Sequence, residues 1–161
     1  MTANDNPGIF ATAPAVNAGG TLTYDANAPG IANITVELRD NGGGDDTSLP
    51  FTFSITVNTP PSFTGGGDVA RSDGPQTVPG WASAISAGPA DESGQALTFV
   101  VTANDNPGIF NGQPTIDAGG TLSFDGRPLD GTANITVELR DDGGGTNTST
   151  PFSFTITISD D

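Results

Sequence analysis

The chain has 161 residues, with four Arg, no Lys and no His against nineteen Asp plus Glu, for a formal charge of −15. Such a field repels nucleic acid and anionic membrane surfaces and draws cations, which sets polyanionic partners aside and favours divalent metal. The absence of Cys and His removes disulfides, thiol metal sites, nucleophilic triads and most zinc sites, while 23 Gly and 13 Pro without a collagen period point to many short strands joined by tight turns.

Taken in order, the chain opens on TANDNPGIF at 2–10, which returns letter for letter at 102–110. The match continues: 16 of 24 residues are identical between 2–25 and 102–125, and 19 of 27 between 31–57 and 132–158. One residue is inserted between these blocks, in a Gly/Pro-rich segment where a surface loop absorbs length at little cost. The period is that of a common domain, so the chain reads as one and a half units of a tandem array. Residues 1–58 form a partial repeat carrying the later strands of a β-sandwich, and residues 59–161 form a complete one. Met1 leads straight into the repeat with no charged start, apolar stretch or cleavage site, which reads as a piece cut from a longer protein. No apolar run approaches membrane-spanning length.

Asn58, Thr59, Pro60 and Pro61 form the junction, because paired prolines are excluded from a central strand and stiffen the backbone. SFT (62–64) and QTV (76–78) read as edge pieces around a GGGD turn, followed by Trp81 as a core plug, and GPADESG (88–94) reads as a loop. Leu97, Phe99 and Val101 alternate with polar or outward positions, as a half-buried strand requires. Asn104, Asp105 and Asn106 read as a turn whose short side chains bond their own backbone. TIDAG (115–119) and TLSFD (121–125) read as short strands. ANITVELRD (133–141) alternates Ile135, Val137 and Leu139 with Thr136, Glu138 and Arg140. After a DDGGG loop, PFSFTITIS (151–159) puts Phe152, Phe154, Ile156 and Ile158 on one face. About seven short strands in about 100 residues is the arithmetic of an all-β, antiparallel two-sheet sandwich.

The run LTFVVTANDNPGIF, GGTLSFDGRPLDGT, ITVELRDDGG and FSFTITIS resembles the cadherin-type repeat, and still more the cadherin-like or Ig-like tandem repeats of large bacterial surface proteins. The resemblance implies a Greek-key sandwich strung end to end in an extracellular protein, a structural spacer, stalk or adhesive repeat stiffened by calcium. Leu129 and Asp130 match the opening of the family's LDRE motif, with Gly131 and Thr132 in place of Arg and Glu. Asp141, like Asp40 in the first copy, matches the first acid of the DAD motif, whose second acid position is held by Gly143 and Gly42. The acidic linker of the family is replaced by Asn58–Thr59–Pro60–Pro61, so a full three-calcium junction is not expected.

Calcium takes six to eight hard oxygen ligands, which acidic Gly-rich loops supply. Asp40, Asp45 and Asp46 in DNGGGDD, Asp141 and Asp142 in DDGGG, and Asp130 are the candidates. The competing reading is that Asp and Gly build turns and the charge serves solubility. Without His or Cys, paired carboxylates are the remaining acid–base chemistry, and none falls in a pocket-like context, so no enzyme is expected. A carbohydrate-binding module is the alternative, with Trp81 as the aromatic platform. Finally, residues 1–58 contain no equivalent of 59–100, which leaves Phe10, Leu22, Tyr24, Ile34, Val36, Leu38, Phe51, Phe53 and Ile55 without the opposing side of their core. That half-domain is expected to be poorly ordered or to be completed by another chain through strand addition.

Overall fold

The computed structural model describes residues 1–160 and is all-β, with several antiparallel sheets and only short 3₁₀ turns besides. It divides into two compact units, Met1–Asn58 and Thr59–Asp161.

The N-terminal unit contains β1 (Ala3–Asn4), a 3₁₀ turn at Pro7–Ile9, β2 (Phe10–Val16), β3 (Leu22–Ala26), β4 (Gly30–Val36) and β5 (Phe51–Val57). Two antiparallel pieces result, a three-stranded sheet in the order β1–β4–β5 and the hairpin β2–β3. The alternation of ANITV puts Ala32 and Ile34 inward, and they meet Ile9, Phe10 and Ile55 in a small core flanked by Val36, Phe53 and Val57. Thus the unit is folded, and Phe10, Ile34 and Ile55 find cover within it. Leu22, Tyr24, Leu38 and Phe51 do not.

The C-terminal unit adds nine strands: β6 (Ser62–Thr64), β7 (Val69–Ser72), β8 (Gly74–Val78), β9 (Ser83–Ser86), β10 (Thr98–Asn104), β11 (Phe110–Ile116), β12 (Leu122–Gly126), β13 (Gly131–Arg140) and β14 (Phe152–Ser159). One sheet runs β10–β13–β14–β7, a second β11–β12–β8, and β6 pairs with β9. Side chains from the two larger sheets interdigitate as a sandwich: Ile135, Val137, Phe154, Ile156 and Ile158 from the first meet Phe110, Ile116, Leu122 and Phe124 from the second. Trp81 closes the core at one side, its ring tilted 4.3 Å from that of Phe154 and its indole N–H donated to the Gly67 carbonyl at 3.2 Å. Fully burying each such aliphatic side chain stabilises the fold by about 1.5–3 kcal/mol.

Three features depart from the sequence reading. VARS (69–72) is a strand, and it pairs with β14 in parallel, Val69 opposite Ile156 and Ser72 opposite Ser159, whereas every other pairing in the unit is antiparallel. SAIS (83–86), to which the sequence assigns no element, is a strand. The strand expected over 115–119 begins at Phe110 and ends at Ile116, because two register shifts against β12 absorb the extra residues.

Candidate functional site

The two acidic loops that follow β4 and β13 share one local design. In the first, the backbone N–H of Gly42 donates to Asp40 Oδ1 at 2.9 Å, and that of Asp40 donates to the Asp46 carbonyl at 3.0 Å. In the second, Gly143 N–H donates to Asp141 Oδ1 at 3.0 Å and Asp141 N–H to the Asn147 carbonyl at 3.1 Å. Both aspartates therefore close turns over Gly-rich stretches, the role short acidic side chains hold through their own backbone.

The six calcium candidates do not come together as one set. Asp40, Asp45 and Asp46 line one open concavity of about 240 Å³ with Leu38, Thr47 and Ser48. Asp141 is buried beneath its loop. Asp142 Oδ1 accepts the Ala96 N–H at 2.8 Å, pinning the loop to the chain before β10, and Asp130 Oδ1 accepts the Asp160 N–H at 2.8 Å, tying down the end of β14. Among the described residues, no group of three or more acidic side chains is arranged to hold a metal ion.

Trp81, the other candidate, is a core residue with its ring packed on Phe152 and Phe154, so it offers no platform at the surface.

The founding nonamer holds a further site that the turn reading of Asp105 misses. Asn104 does bond its own backbone, accepting the Asn106 N–H at 3.0 Å, and Asn106 Nδ2 donates to the Thr132 carbonyl at 3.1 Å. Asp105 instead reaches across to β13, where its two oxygens accept the backbone N–H of Asn134 at 2.7 Å and its Nδ2 at 2.6 Å. Those hydrogen bonds, the side-chain one first, hold the carboxyl below its ordinary value of 3.8. Asp5 and Asn33 repeat the arrangement at 2.7 and 2.8 Å, with the same downward shift and the same causes. The pair is a long-range latch of the fold.

Glu92 was hidden in what reads as a solvated loop. It lies on a 3₁₀ turn (Ala90–Glu92) and is buried, with Oε1 accepting the Thr59 N–H at 2.8 Å. Gly88, at φ +148°, is the residue whose missing side chain makes room for Glu92 Oε2.

The N-terminal unit also leaves large apolar side chains open to water. In the N-terminal unit, Val16, Leu22, Tyr24, Leu38 and Phe51 are exposed. Their equivalents Ile116, Leu122, Phe124 and Leu139 are buried, and Phe152 packs against the core. Tyr24 is 47% exposed where Phe124 is 5%, and Leu38 76% where Leu139 is 0%. Among the described residues, no helix is long and apolar enough to cross a membrane. No protein-family profile matches this chain, and no curated protein sequence does.

Proposed function

We propose that this chain is a load-bearing spacer or stalk segment of a bacterial extracellular surface protein, built of cadherin-like or Ig-like sandwich repeats that associate by strand complementation. The observation that carries this reading is the parallel pairing of β7 with β14. These strands lie near the two ends of the C-terminal unit. Tension applied at its ends loads their hydrogen bonds together, in shear, rather than opening them one at a time. Asp68 adds to the clamp, its Oδ1 accepting the Thr155 N–H at 2.8 Å. The strong negative charge keeps such a segment soluble, and the Pro60–Pro61 pair stiffens the junction.

Single-molecule extension of the full chain tests this. The C-terminal unit is expected to unfold in one abrupt event, releasing chain at roughly 3.3–3.6 Å per residue, and Asp68→Ala is expected to lower the force required. Gradual lengthening at low force would remove the mechanical reading. For calcium, the candidates that lie nearest one another are Asp40, Asp45 and Asp46, which line one concavity without forming a ready-made metal cage. Melting curves with millimolar calcium and with chelator should then separate, and the separation should vanish in Asp45→Asn/Asp46→Asn. Superimposed curves would leave these residues as turn formers alone.

A further inference from the structure

Among the described residues, three edges are open in the N-terminal unit, and in the C-terminal unit one continuous segment fills all three equivalents. Strand β12 pairs on one side with β11 and on the other with β8, Leu122 opposite Val78 and Gly126 opposite Gly74. Its counterpart β3 pairs with β2 in the same register as β12 with β11, bulges included, and among the described residues its other edge is free. Strand β14 carries β7 on its outer edge, while among the described residues its counterpart β5 pairs with β4 alone. Strand β13 is paired along its final residues, Val137–Arg140, by Thr98–Val101 of β10, whereas β1 in the N-terminal unit supplies only Ala3 and Asn4 opposite Thr35 and Ile34. Strands β7, β8 and the start of β10 all lie within residues 62–101.

The sequence keeps the exposed face fit for such a segment. Leu22, Leu38, Phe51 and Phe53 are unchanged from Leu122, Leu139, Phe152 and Phe154, and Val16 and Tyr24 replace Ile116 and Phe124 by near-isosteres. In the C-terminal unit, Gly120 accepts the Ala82 N–H at 2.9 Å on its carbonyl, and a side chain at Gly120 would collide with the Ala82 carbonyl oxygen. Gly20 keeps the same clearance with nothing within 4 Å of it.

We propose that the open face of the N-terminal unit is an acceptor for a further polypeptide segment with the sequence of residues 62–101, seated in the register this segment holds in the C-terminal unit. Val78 would face Leu22, Val69 would face Ile55, and Phe99 would face Leu38. This inference deepens the strand-complementation part of the proposed function and rests on it. Within residues 1–161 there is one such segment and two faces that it fits, and the segment is engaged in its own unit. Exchange between copies of the chain only moves the vacancy, so the occupant is an additional segment rather than an intact second copy.

The test adds a synthetic peptide of residues 62–101 to the full chain and follows amide hydrogen exchange. Saturable one-to-one binding is expected, with exchange of the β3 and β5 edges slowed at least about tenfold. Leu38→Asp in the full chain is expected to weaken binding at least about tenfold, since the complex would bury an unpaired charge, while leaving the unbound fold intact because residue 38 lies open to water. Three results would overturn the proposal: no binding, protection confined to the C-terminal unit, or a dimer of the chain whose β3 edges are already protected and resist the peptide. Each of these leaves the shear clamp of β7 and β14 untouched, so the two readings fail separately.

Discussion

The same seven letters, ITVELRD, have different structures in the two units. In the C-terminal unit the first six lie in β13 (Gly131–Arg140), which stays extended to Arg140, whereas β4 (Gly30–Val36) ends three residues earlier than that equivalence predicts. Local propensity is identical, so it is not the cause. The difference is the neighbour: β10 supplies partners out to Arg140, and in the N-terminal unit the partner strand is two residues long. Strand length here is set by cross-strand pairing and burial, the context that dominates β-structure generally. A free backbone edge also exposes the side chains that the missing partner would have covered, which is why Leu38 and Leu139 differ so widely.

Paired substitutions at these equivalent leucines sharpen the comparison most. Leu139→Ala empties a fully buried site and is expected to destabilise the C-terminal unit by about 2–5 kcal/mol. Leu38→Ala is expected to change stability by no more than about 0.5 kcal/mol, as exposed sites do. Chemical denaturation followed by amide exchange in each unit reads the two separately, and equal costs would mean that Leu38 is covered in solution. A smaller contrast is expected at Gly20 and Gly120, at φ +81° and +85°. Alanine costs about 1–2 kcal/mol for that backbone conformation at either position. Gly120→Ala adds a clash with the Ala82 backbone, which cannot swing aside as a flexible side-chain end would. Equal melting shifts for the two variants would show that 82–86 does not press on this turn.

Much of the sandwich is legible in the sequence because period-two alternation is clean where a strand has one buried face. The residues of β13 and β14 display it, while the core placement of Trp81 is legible from its size and apolar character instead. The rest is hidden for physical reasons. Strand β7 has a single buried apolar residue, Val69, and its parallel partner is over 80 residues away, so neither pattern nor turn announces it. Bulges in β11 interrupt the alternation between Phe110 and Ile116. Glu92 has the letters of a solvated loop, and only the tertiary placement of Thr59 makes it an internal hydrogen-bond acceptor. The Asp105–Asn134 latch pairs two residues 29 apart, a relation visible in sequence only as the joint recurrence of Asp5 and Asn33.

That latch provides the smallest expected effect and the one on which the units should agree, since both of its members lie in the shared part of the sequence. In each unit the aspartate accepts two hydrogen bonds in its ionised form and is held below its ordinary 3.8. An unfolded chain lacks those bonds, so between the folded and unfolded values it binds more protons than the native state, and stability rises with pH across that window. The contribution is fully present above the unfolded value near 4 and is lost as pH falls through the folded one. Both carboxylates are exposed, so screening by water and salt keeps the effect modest. Asp105→Asn is expected to flatten the acid side of the C-terminal unit's stability profile, Asp5→Asn that of the N-terminal unit, and each to leave the other unit unchanged. Amide exchange measured from about pH 2.5 to 6 reads this. A variant whose profile runs parallel to the parent chain throughout would show that the bonds favour neither protonation state, and a response in one unit alone would break the equivalence of the two latches.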